Sequence, residues 1–367
     1  MVKTIIINPG STSTKIAMFD NTDCLLNKNI EHNNSEILKF HTLIEQEPFR
    51  IKKIEEYLDS EGVDLNQIDA FVGRGGLMRP IPGGTYEVDT MMVDDLSSGK
   101  FGIHASNLGG IISDYFAKKF NKKAFIVDPV VVDEFEPVAY LSGFKGLERR
   151  SVFHALNQKA VAREALKKIN KKYPESNVIV AHLGGGISIG AHKQGRVVDV
   201  NNGLDGEGPF APNRTGQVSV MSVVDYIFEH NVDRETMRKK ITQTGGLVSY
   251  LQTNDLRDVE EKIDSGDKYA QLVFDSLVYQ ISKEIAKQAS VLNGVVDLIV
   301  LTGGLAYSNL LVKALSQKNK WISNVVVIPG EMEMQALNLG AQRVLTGTED
   351  LKNYQKESEA LANAKRI

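Results

Sequence analysis

The residues best suited to chemistry lie where an apolar run breaks into small, hydroxyl-bearing residues. The segment Asn8–Lys15 reads NPGSTSTK and lies between the apolar runs III and IAMF. Small side chains, backbone N–H groups, hydroxyls and one ammonium at a hairpin tip suit a bound polyphosphate, because an anion needs donors and room to approach. The segment is not a Walker A loop, which has Gly-x-x-x-x-Gly-Lys-Ser/Thr before a helix. For this segment alone, an ordinary tight turn stays open as the alternative.

Two further loops of small residues also follow apolar runs. The run VIVAHL, which ends at His182 and Leu183, leads into Gly184-Gly185-Gly186, then ISIGA, a turn and RVVDV. The first loop continues in the same order, and two such units about half a chain apart predict a duplicated domain. The third loop, Gly303-Gly304, follows the run LIVLT. Together the three loops predict a nucleotide held from two sides.

Two arginines lie in predicted loops, where the neighbouring residues offer little packing for a long charged side chain. Arg74 lies in GRGG directly after an apolar run, and Arg214 lies in the proline-framed loop PFAPNRTG. An arginine between glycines has little local packing, so its guanidinium is expected to be available for a bidentate anion contact. The end of a strand in an α/β sheet is also where ligands bind. A surface arginine in a flexible turn and a long structured surface loop are the respective alternatives.

Several other polar residues follow strands or begin helices. Asp128 ends the run AFIV, where its carboxylate suits magnesium or the waters of that ion, although a turn aspartate before proline fits as well. His154 at a helix start suits a donor to transition-state oxygens, whereas a structural role is the alternative for both His154 and His182. Glu331 and Glu333 follow an apolar run, and Glu331 is expected in the first turn of the next helix, where the helix dipole favours an acid.

Strand-like and helix-like segments alternate along the chain, which predicts an α/β fold. Strands are expected over residues 4–7, 70–72, 124–127, 178–183, 297–301 and 324–328. Helices are expected over residues 50–60, 107–120, 151–173, 218–229 and 269–292. The predicted organisation is an N-terminal domain over 1–150, a C-terminal domain with the nucleotide site over 151–347, and a terminal helix or tail over 348–367.

Composition narrows the class of protein. The chain has 367 residues, 42% of them hydrophobic, with 43 basic against 46 acidic residues and a formal charge of −3, so no general attraction to nucleic acid or to an anionic membrane is expected. The single cysteine, Cys24, excludes an internal disulfide and fits a reducing compartment. No paired-cysteine zinc pattern, Gly-x-Ser-x-Gly elbow, secretory signal or membrane span is found. The expected setting is the cytoplasm.

Six ordered motifs across nearly the whole chain resemble the acetate kinase family and, within it, the butyrate kinases. They are NPGSTSTK at 8–15, GRGGLMRP at 73–80, DPVVVDEF at 128–135, RSVFHALN at 150–157, HLGGGIS at 182–188 and GPFAPNR at 208–214. The resemblance implies two ribonuclease-H-like domains of the actin-like ATPase type around a cleft, in a homodimer or higher homo-oligomer. It also implies reversible transfer of the ATP γ-phosphoryl group to a short-chain fatty acid, giving ADP and an acyl phosphate, with Mg²⁺.

The resemblance also assigns roles by motif. Arg74 and Arg214 match the arginines that hold the carboxylate and the phosphoryl oxygens, His154 the transition-state histidine, and Asp128 the carboxylate near magnesium. Either Glu331 or Glu333 matches the metal-binding glutamate. The nucleotide-binding positions are Asn8, Ser11, Ser13 and Lys15 in the first phosphate loop, His182, Gly184, Gly185 and Gly186 in the second, and Gly303 and Gly304 in the adenosine loop.

Two departures from acetate kinases bear on these roles. Gly185 replaces an asparagine of the second phosphate loop, and the adenosine loop lacks a Gly-Glu-Asn ending; both departures look like butyrate-type members. The alternatives are a branched-chain (isobutyrate) kinase of the same family, a non-acyl ATPase of the actin or Hsp70 type, and a sugar kinase. A non-acyl ATPase would need a peptide-binding or polymerisation region, and a sugar kinase an aspartate base.

Overall fold

A computed structural model describes residues 2–364 of the chain. Its contacts divide the chain into two compact units, the described part of Met1–Asp133 with Met332–Ile367, and Glu134–Glu331. We call them unit 1 and unit 2. These boundaries fall at 133/134 and 331/332, whereas the domains predicted from the sequence divide at 150/151 and 347/348; that division stays a prediction.

In the described chain, unit 1 is built on a six-stranded mixed sheet. Its strands are β1 (Lys3–Pro9), β2 (Ser13–Asp20), β3 (Asp23–Glu31), β4 (Ala70–Gly73), β5 (Thr85–Glu87) and β6 (Lys123–Val127). Their order is β3-β2-β1-β4-β6-β5. The first three strands form an antiparallel meander, and β1, β4 and β6 are parallel neighbours. The core of the unit is dominated by isoleucine, leucine and phenylalanine.

Unit 2 repeats this plan in a five-stranded sheet within the described residues. Its strands are β7 (Asn177–Leu183), β8 (Ile187–Lys193), β9 (Arg196–Val200), β10 (Leu298–Gly303) and β11 (Val325–Pro329). The order β9-β8-β7-β10-β11 reproduces β3-β2-β1-β4-β6, with the same antiparallel meander and parallel strands. The predicted α/β fold with duplicated ribonuclease-H-like halves is therefore confirmed.

Helices connect and cover the strands. In chain order they are α1 (Asn34–Ile37), α2 (Glu47–Ser60), α3 (Thr90–Ser98), α4 (Asn107–Phe120), α5 (Pro137–Tyr140), α6 (Ala155–Lys167), α7 (Val220–Glu229), α8 (Arg234–Thr242), α9 (Gly246–Leu251), α10 (Leu256–Asp264), α11 (Lys268–Val291), α12 (Asn309–Asn319), α13 (Glu333–Leu345) and α14 (Tyr354–Ala364). Short 3₁₀ helices span Ile44–Gln46, Leu65–Gln67, Tyr173–Glu175 and Gly304–Tyr307. Within residues 2–364, no helix combines the length and apolar character that crossing a bilayer requires.

The predicted strands and most of the predicted helices are confirmed, with shifts of a few residues at their ends. The helix expected over 151–173 is shorter, since α6 begins at Ala155 and ends at Lys167. Asn170 has a positive φ of 55°, a left-handed conformation that a continuing α-helix does not admit, and it marks the turn that follows. His154 is the N-cap residue of α6, as the prediction of a helix-start histidine required.

Candidate active-site residues in the two units

The first predicted phosphate loop is the β1–β2 hairpin of unit 1. Asn8 pairs with Lys15 and Pro9 with Thr14 in the strand register, and the Gly10 N–H donates to the Ser13 carbonyl at 2.8 Å. Within residues 2–364, the hydroxyls of Ser11 and Ser13 and the Lys15 ammonium make no hydrogen bond or ion pair. The hairpin therefore presents the predicted group of donors at one end of the sheet.

Two residues that the sequence prediction missed hold this hairpin from the protein side. The fully buried guanidinium of Arg50 donates to the Ser11 carbonyl at 3.1 Å and to the Ser13 carbonyl at 2.9 Å. The Nε2 of His32 lies 2.8 Å from the Thr14 hydroxyl, and burial together with the Arg50 charge lowers the pKa of His32 to about 4. Arg50 lies on the buried face of α2 with Ile51, Ile54 and Leu58, and that placement on an apolar stripe is the signal that was available in the sequence.

Arg74 follows β4 and forms a cluster with Glu333 and Asn8. Its Nη1 lies 2.6 Å from Glu333 Oε1, and the Asn8 amide donates to the other carboxylate oxygen at 2.8 Å. The strand end approaches α4 closely, since a Cβ on Gly73 would lie 2.1 Å from the Gly109 carbonyl oxygen. The Arg74 guanidinium, which the sequence predicts to be available to an anion, is thus already paired with one carboxylate of the protein. Glu333 leaves about a third of the Arg74 side chain exposed for a further contact.

Asp128 follows β6 and is 3% exposed. Its Oδ1 accepts the Gly84 N–H at 2.7 Å, and its φ of 38° lies in the left-handed region. Residues other than glycine pay about 1–2 kcal/mol for that conformation, so the surrounding structure has to enforce it. The carboxylate is thus fixed in position at the end of a parallel strand, and its predicted role near magnesium stays a prediction.

The second predicted phosphate loop joins β7 to β8 in unit 2, and His182 lies just before it. His182 is 1% exposed, its Nδ1 lies 2.9 Å from the Asn157 side-chain nitrogen, and its Nε2 lies 3.6 Å from Glu331 Oε1. The same Asn157 nitrogen donates to the Thr302 hydroxyl at 3.2 Å, and that hydroxyl donates to the Gly330 carbonyl. These hydrogen bonds favour the tautomer of His182 that carries its hydrogen on Nε2, because Asn157 donates to Nδ1 and the Glu331 carboxylate can only accept.

His154 stacks on His182. The ring centroids are 3.7 Å apart with an interplanar angle of 6°, and His154 Nδ1 lies 2.9 Å from the Ser188 hydroxyl. Gln158 donates from its side chain to the same hydroxyl at 2.8 Å. The structure thus brings together the two predicted histidines, and it adds Asn157 and Ser188, which the sequence prediction did not assign.

The Arg214 side chain lies against Gly186 of the second loop. A Cβ on Gly186 would lie 1.8 Å from Arg214 Nη1, whereas the nearest atom to a Cβ on Gly185 would be Asn213 Oδ1 at 3.8 Å. Arg214 Nη1 donates to the Gly203 carbonyl, and its Nε has no hydrogen-bond partner among the described residues. Burial lowers the pKa of Arg214, and the Asp205 charge opposes this effect. The guanidinium is therefore held at the loop and retains an unused donor.

The remaining predicted residues lie at the ends of unit 2 strands or next to them. Gly303 ends β10 with a φ of 87°, and Gly304 begins the 3₁₀ helix that follows. The sequence predicted Glu331 in the first turn of a helix, and this prediction is wrong because α13 begins at Glu333. The helix-dipole role considered for Glu331 therefore belongs to Glu333.

Among residues 2–364, no group of three histidine, cysteine or acidic side chains is placed to hold a metal. Magnesium commonly binds through one or two carboxylates together with water and substrate phosphates. Asp128 and Glu333 are carboxylates of unit 1, and both oxygens of Glu333 are engaged by Arg74 and Asn8. Glu331 is placed differently, in unit 2 beside His182.

A model of the acetokinase family matches residues 137–345, which is more than half of the chain. The chain belongs to the acetokinase family. It is therefore an ATP-dependent kinase that transfers a phosphoryl group to a carboxylate. The match includes the second predicted phosphate loop and Arg214.

Solved structures of similar fold support the architecture of this acetokinase. An acetate kinase from Porphyromonas gingivalis superposes with a TM-score of 0.76 at 17% identity, covering 95% of this chain and 100% of that one. An acetate kinase from Entamoeba histolytica gives 0.73 at 19% identity, covering 93% and 99%. A propionate kinase from Francisella tularensis subsp. tularensis SCHU S4 gives 0.69 at 18% identity, covering 93% and 99%.

Proposed function

We propose that this acetokinase is a butyrate kinase, which catalyses the reversible reaction of butanoate and ATP to butanoyl phosphate and ADP. The acceptor class follows from the family, and the choice of butyrate is supported by the six motifs of the sequence. The observation that carries this choice is Gly185. The loop has room for a side chain at this position, yet the asparagine of acetate kinases is absent.

The mechanism requires charge neutralisation and alignment rather than a base. A carboxylate is already ionised at neutral pH, so its oxygen attacks the γ-phosphorus directly while the bond to the β-bridging oxygen breaks and ADP leaves. Arg74 is assigned to the acceptor carboxylate, and Arg214 and His154 to the oxygens of the transferring group. Fixed cations and donors of this kind lower the barrier because they need no reorganisation during the reaction.

The first loop is assigned to the nucleotide phosphates through Asn8, Ser11, Ser13 and Lys15. The second loop is assigned to them through the Nε2–H of His182 and the backbone at 184–186, and Gly303-Gly304 to the adenosine. Asp128 and Glu333 would hold Mg²⁺, which supplies charge neutralisation at the phosphates when bound.

The experiment is a hydroxylamine trap with ATP and a series of acids from two to six carbons. Acyl phosphate is captured as hydroxamate, and the acids are then ranked by kcat/KM. A rank led by butyrate supports the proposal, whereas a rank led by isobutyrate supports the branched-chain alternative. One methylene is worth about 1–3 kcal/mol in an apolar pocket, so a full series is needed. ATP hydrolysis without hydroxamate from any acid contradicts the acyl kinase assignment.

We also propose that the chain forms a homodimer through unit 2, in a reducing cytoplasmic compartment. No residue of α7 is buried within the described chain, although its sequence is VMSVVDYIFE. Val220, Met221 and Phe228 are 74%, 61% and 80% exposed, and we call these three residues the α7 face. Helix α7 carries acidic residues and helix α8 carries basic ones. A twofold axis that places α7 of one copy against α8 of the other would therefore pair opposite charges across the interface.

Light scattering and sedimentation equilibrium test this assembly. The wild type should have twice the 40.5 kDa mass of the chain, and Phe228→Glu should have the mass of one chain. Leu38→Glu is the matched control, because Leu38 is 83% exposed in unit 1 and lies outside the α7 face. A wild-type protein of 40.5 kDa across the accessible concentrations contradicts the dimer.

A further inference from the structure

Arg50 is a buried cation with no carboxylate partner in the part of the chain that the structure describes. Its side chain is fully buried, and no ion pair to it exists among residues 2–364. The guanidinium makes five hydrogen bonds, all to uncharged oxygens. The acceptors are Gln46 Oε1 at 3.2 Å from Nε and 2.9 Å from Nη2, the Ser13 carbonyl, the Thr14 hydroxyl and the Ser11 carbonyl.

Such a charge is costly to bury. Desolvation of a cation is usually offset by a carboxylate, and hydrogen bonds to neutral oxygens satisfy the geometry without neutralising the charge. Lys159, also a buried cation, follows the usual rule, since it is 2% exposed and lies 2.9 Å from the Glu134 carboxylate. The missing counter-charge of Arg50 therefore calls for a specific explanation.

The position of Arg50 supplies that explanation. The Ser11 and Ser13 carbonyls accept from Arg50, and the Thr12 carbonyl accepts the His32 N–H at 2.8 Å. Three successive carbonyls are thus engaged on the protein side of the hairpin. Ser11 and Thr12 are themselves exposed, so a single layer of peptide separates the guanidinium from the outer face of the loop.

We propose that Arg50 is a positioning residue for the first phosphate loop and that the bound nucleotide phosphates provide its counter-charge. The proposal rests on the proposed function, because it takes the outer face of this hairpin as the phosphate site. Arg50 fixes the loop with its carbonyls turned inward, which keeps acceptor oxygens away from the anion. Its unneutralised charge then acts on the phosphates through a medium of low dielectric.

Calorimetric titration with Mg-ADP tests this, because it requires no acyl acceptor. Arg50→Met removes the charge and the hydrogen bonds, whereas Arg50→Lys keeps the charge and loses the fork. We expect Arg50→Met to weaken Mg-ADP binding on the order of tenfold to a hundredfold, and Arg50→Lys to weaken it less. The salt dependence of the Kd should also be shallower in Arg50→Met than in the wild type.

The control is Lys159→Met, which removes a buried cation that has its own carboxylate partner. It should lower the melting temperature and leave the Kd for Mg-ADP within about twofold of the wild type. If Arg50→Met does not fold, Arg50→Gln takes its place, because glutamine is neutral but can still donate hydrogen bonds. Its expected loss of Mg-ADP affinity is likewise larger than that of Arg50→Lys.

Several results would overturn the inference. They are a Kd for Arg50→Met within about twofold of the wild type, equal losses in Arg50→Met and Arg50→Lys, and an equal loss in Lys159→Met. A wild-type protein that binds no Mg-ADP would overturn the proposed nucleotide site and this inference together, and it is recognised before any variant is made. Normal Mg-ADP binding without acyl kinase activity would count against the proposed acceptor alone.

Discussion

Replacing Gly186 by alanine should displace Arg214 and leave the fold largely intact. The added Cβ would lie 1.8 Å from Arg214 Nη1, 2.5 Å from its Cζ and 2.9 Å from the Gly203 carbonyl oxygen. Ordinary contact needs about 3.5–4.0 Å, so the guanidinium has to move by about 2 Å. The Arg214 atoms end a flexible side chain, whereas the Gly203 carbonyl belongs to the backbone and must also shift slightly. The expected loss of stability is therefore within the roughly 1–3 kcal/mol for overpacking.

The effect on catalysis should be much larger. Removing a donor from a transition-state oxyanion typically lowers kcat by about 10²–10³-fold, and a displaced guanidinium loses its proposed contact in the same way. Gly185→Ala is the matched control, since its Cβ would meet only Asn213 Oδ1 at 3.8 Å and neither glycine has a positive φ.

The assay pairs hydroxamate kinetics with thermal unfolding. The expected result is a large fall of kcat in Gly186→Ala, with a melting temperature only moderately below that of Gly185→Ala. If kcat of the two variants agrees within about threefold, Arg214 does not stabilise the transition state and the reasoning fails.

Three further predictions concern Arg74, Asn157 and His32. Arg74→Lys loses the guanidinium fork and about 1.5–3 kcal/mol of charged hydrogen bonding, so kcat/KM should fall about tenfold to a hundredfold; near-wild-type kinetics would remove Arg74 from the site. Asn157→Asp replaces the donor to His182 Nδ1 by an acceptor. Nitrogen NMR of His182 should then show the hydrogen on Nδ1, and kcat should fall. The control is Asn319→Asp, at a buried asparagine that donates to the Ser282 hydroxyl, and it should change neither the tautomer of His182 nor kcat. The pKa of His32 is about 4 in the folded protein against 6.5 ordinarily, so the unfolded state binds the extra proton as the pH falls from 6.5 to 4. The free energy of unfolding should decrease across that window by at most about 3 kcal/mol. Urea unfolding of His32→Gln should show a flatter dependence of this free energy on pH than the wild type. An equally steep dependence in the variant would contradict the lowered pKa of His32.

The strands and loop positions were predictable because their signals are local. Each central strand is an uninterrupted apolar run, and each loop follows directly in the sequence. The helix α8 was missed because it is rich in charged residues and buries none of its side chains. The helix α10 was missed although Leu256 and Val259 form a buried apolar face on it, so its amphipathic signal was present in the sequence. Glu331 was placed in the wrong element because the start of α13 shifts by two residues, and such boundaries depend on caps rather than on periodicity.

The residues behind the loops were not predictable for a different reason. Arg50 bonds to a carbonyl 39 positions away, and Asn157 to a hydroxyl 145 positions away. Contacts of that separation exist only once the sheet has formed, and no local pattern encodes them. What the sequence did contain was an arginine on an apolar stripe, which indicates burial without identifying the partner.

The two loops occupy equivalent positions in equivalent sheets, yet they obtain positive charge in different ways. The first loop carries hydroxyls and Lys15 of its own and has Arg50 behind it. The second loop is three glycines and has no charged side chain, so the charge has to come from elsewhere in unit 2, and Arg214 crosses directly over Gly186. The close approach of Arg214 therefore requires a glycine at 186. A sequence that lost either Gly186 or Arg214 would lose the cation at this loop, although the strand–loop–strand pattern would still be recognisable.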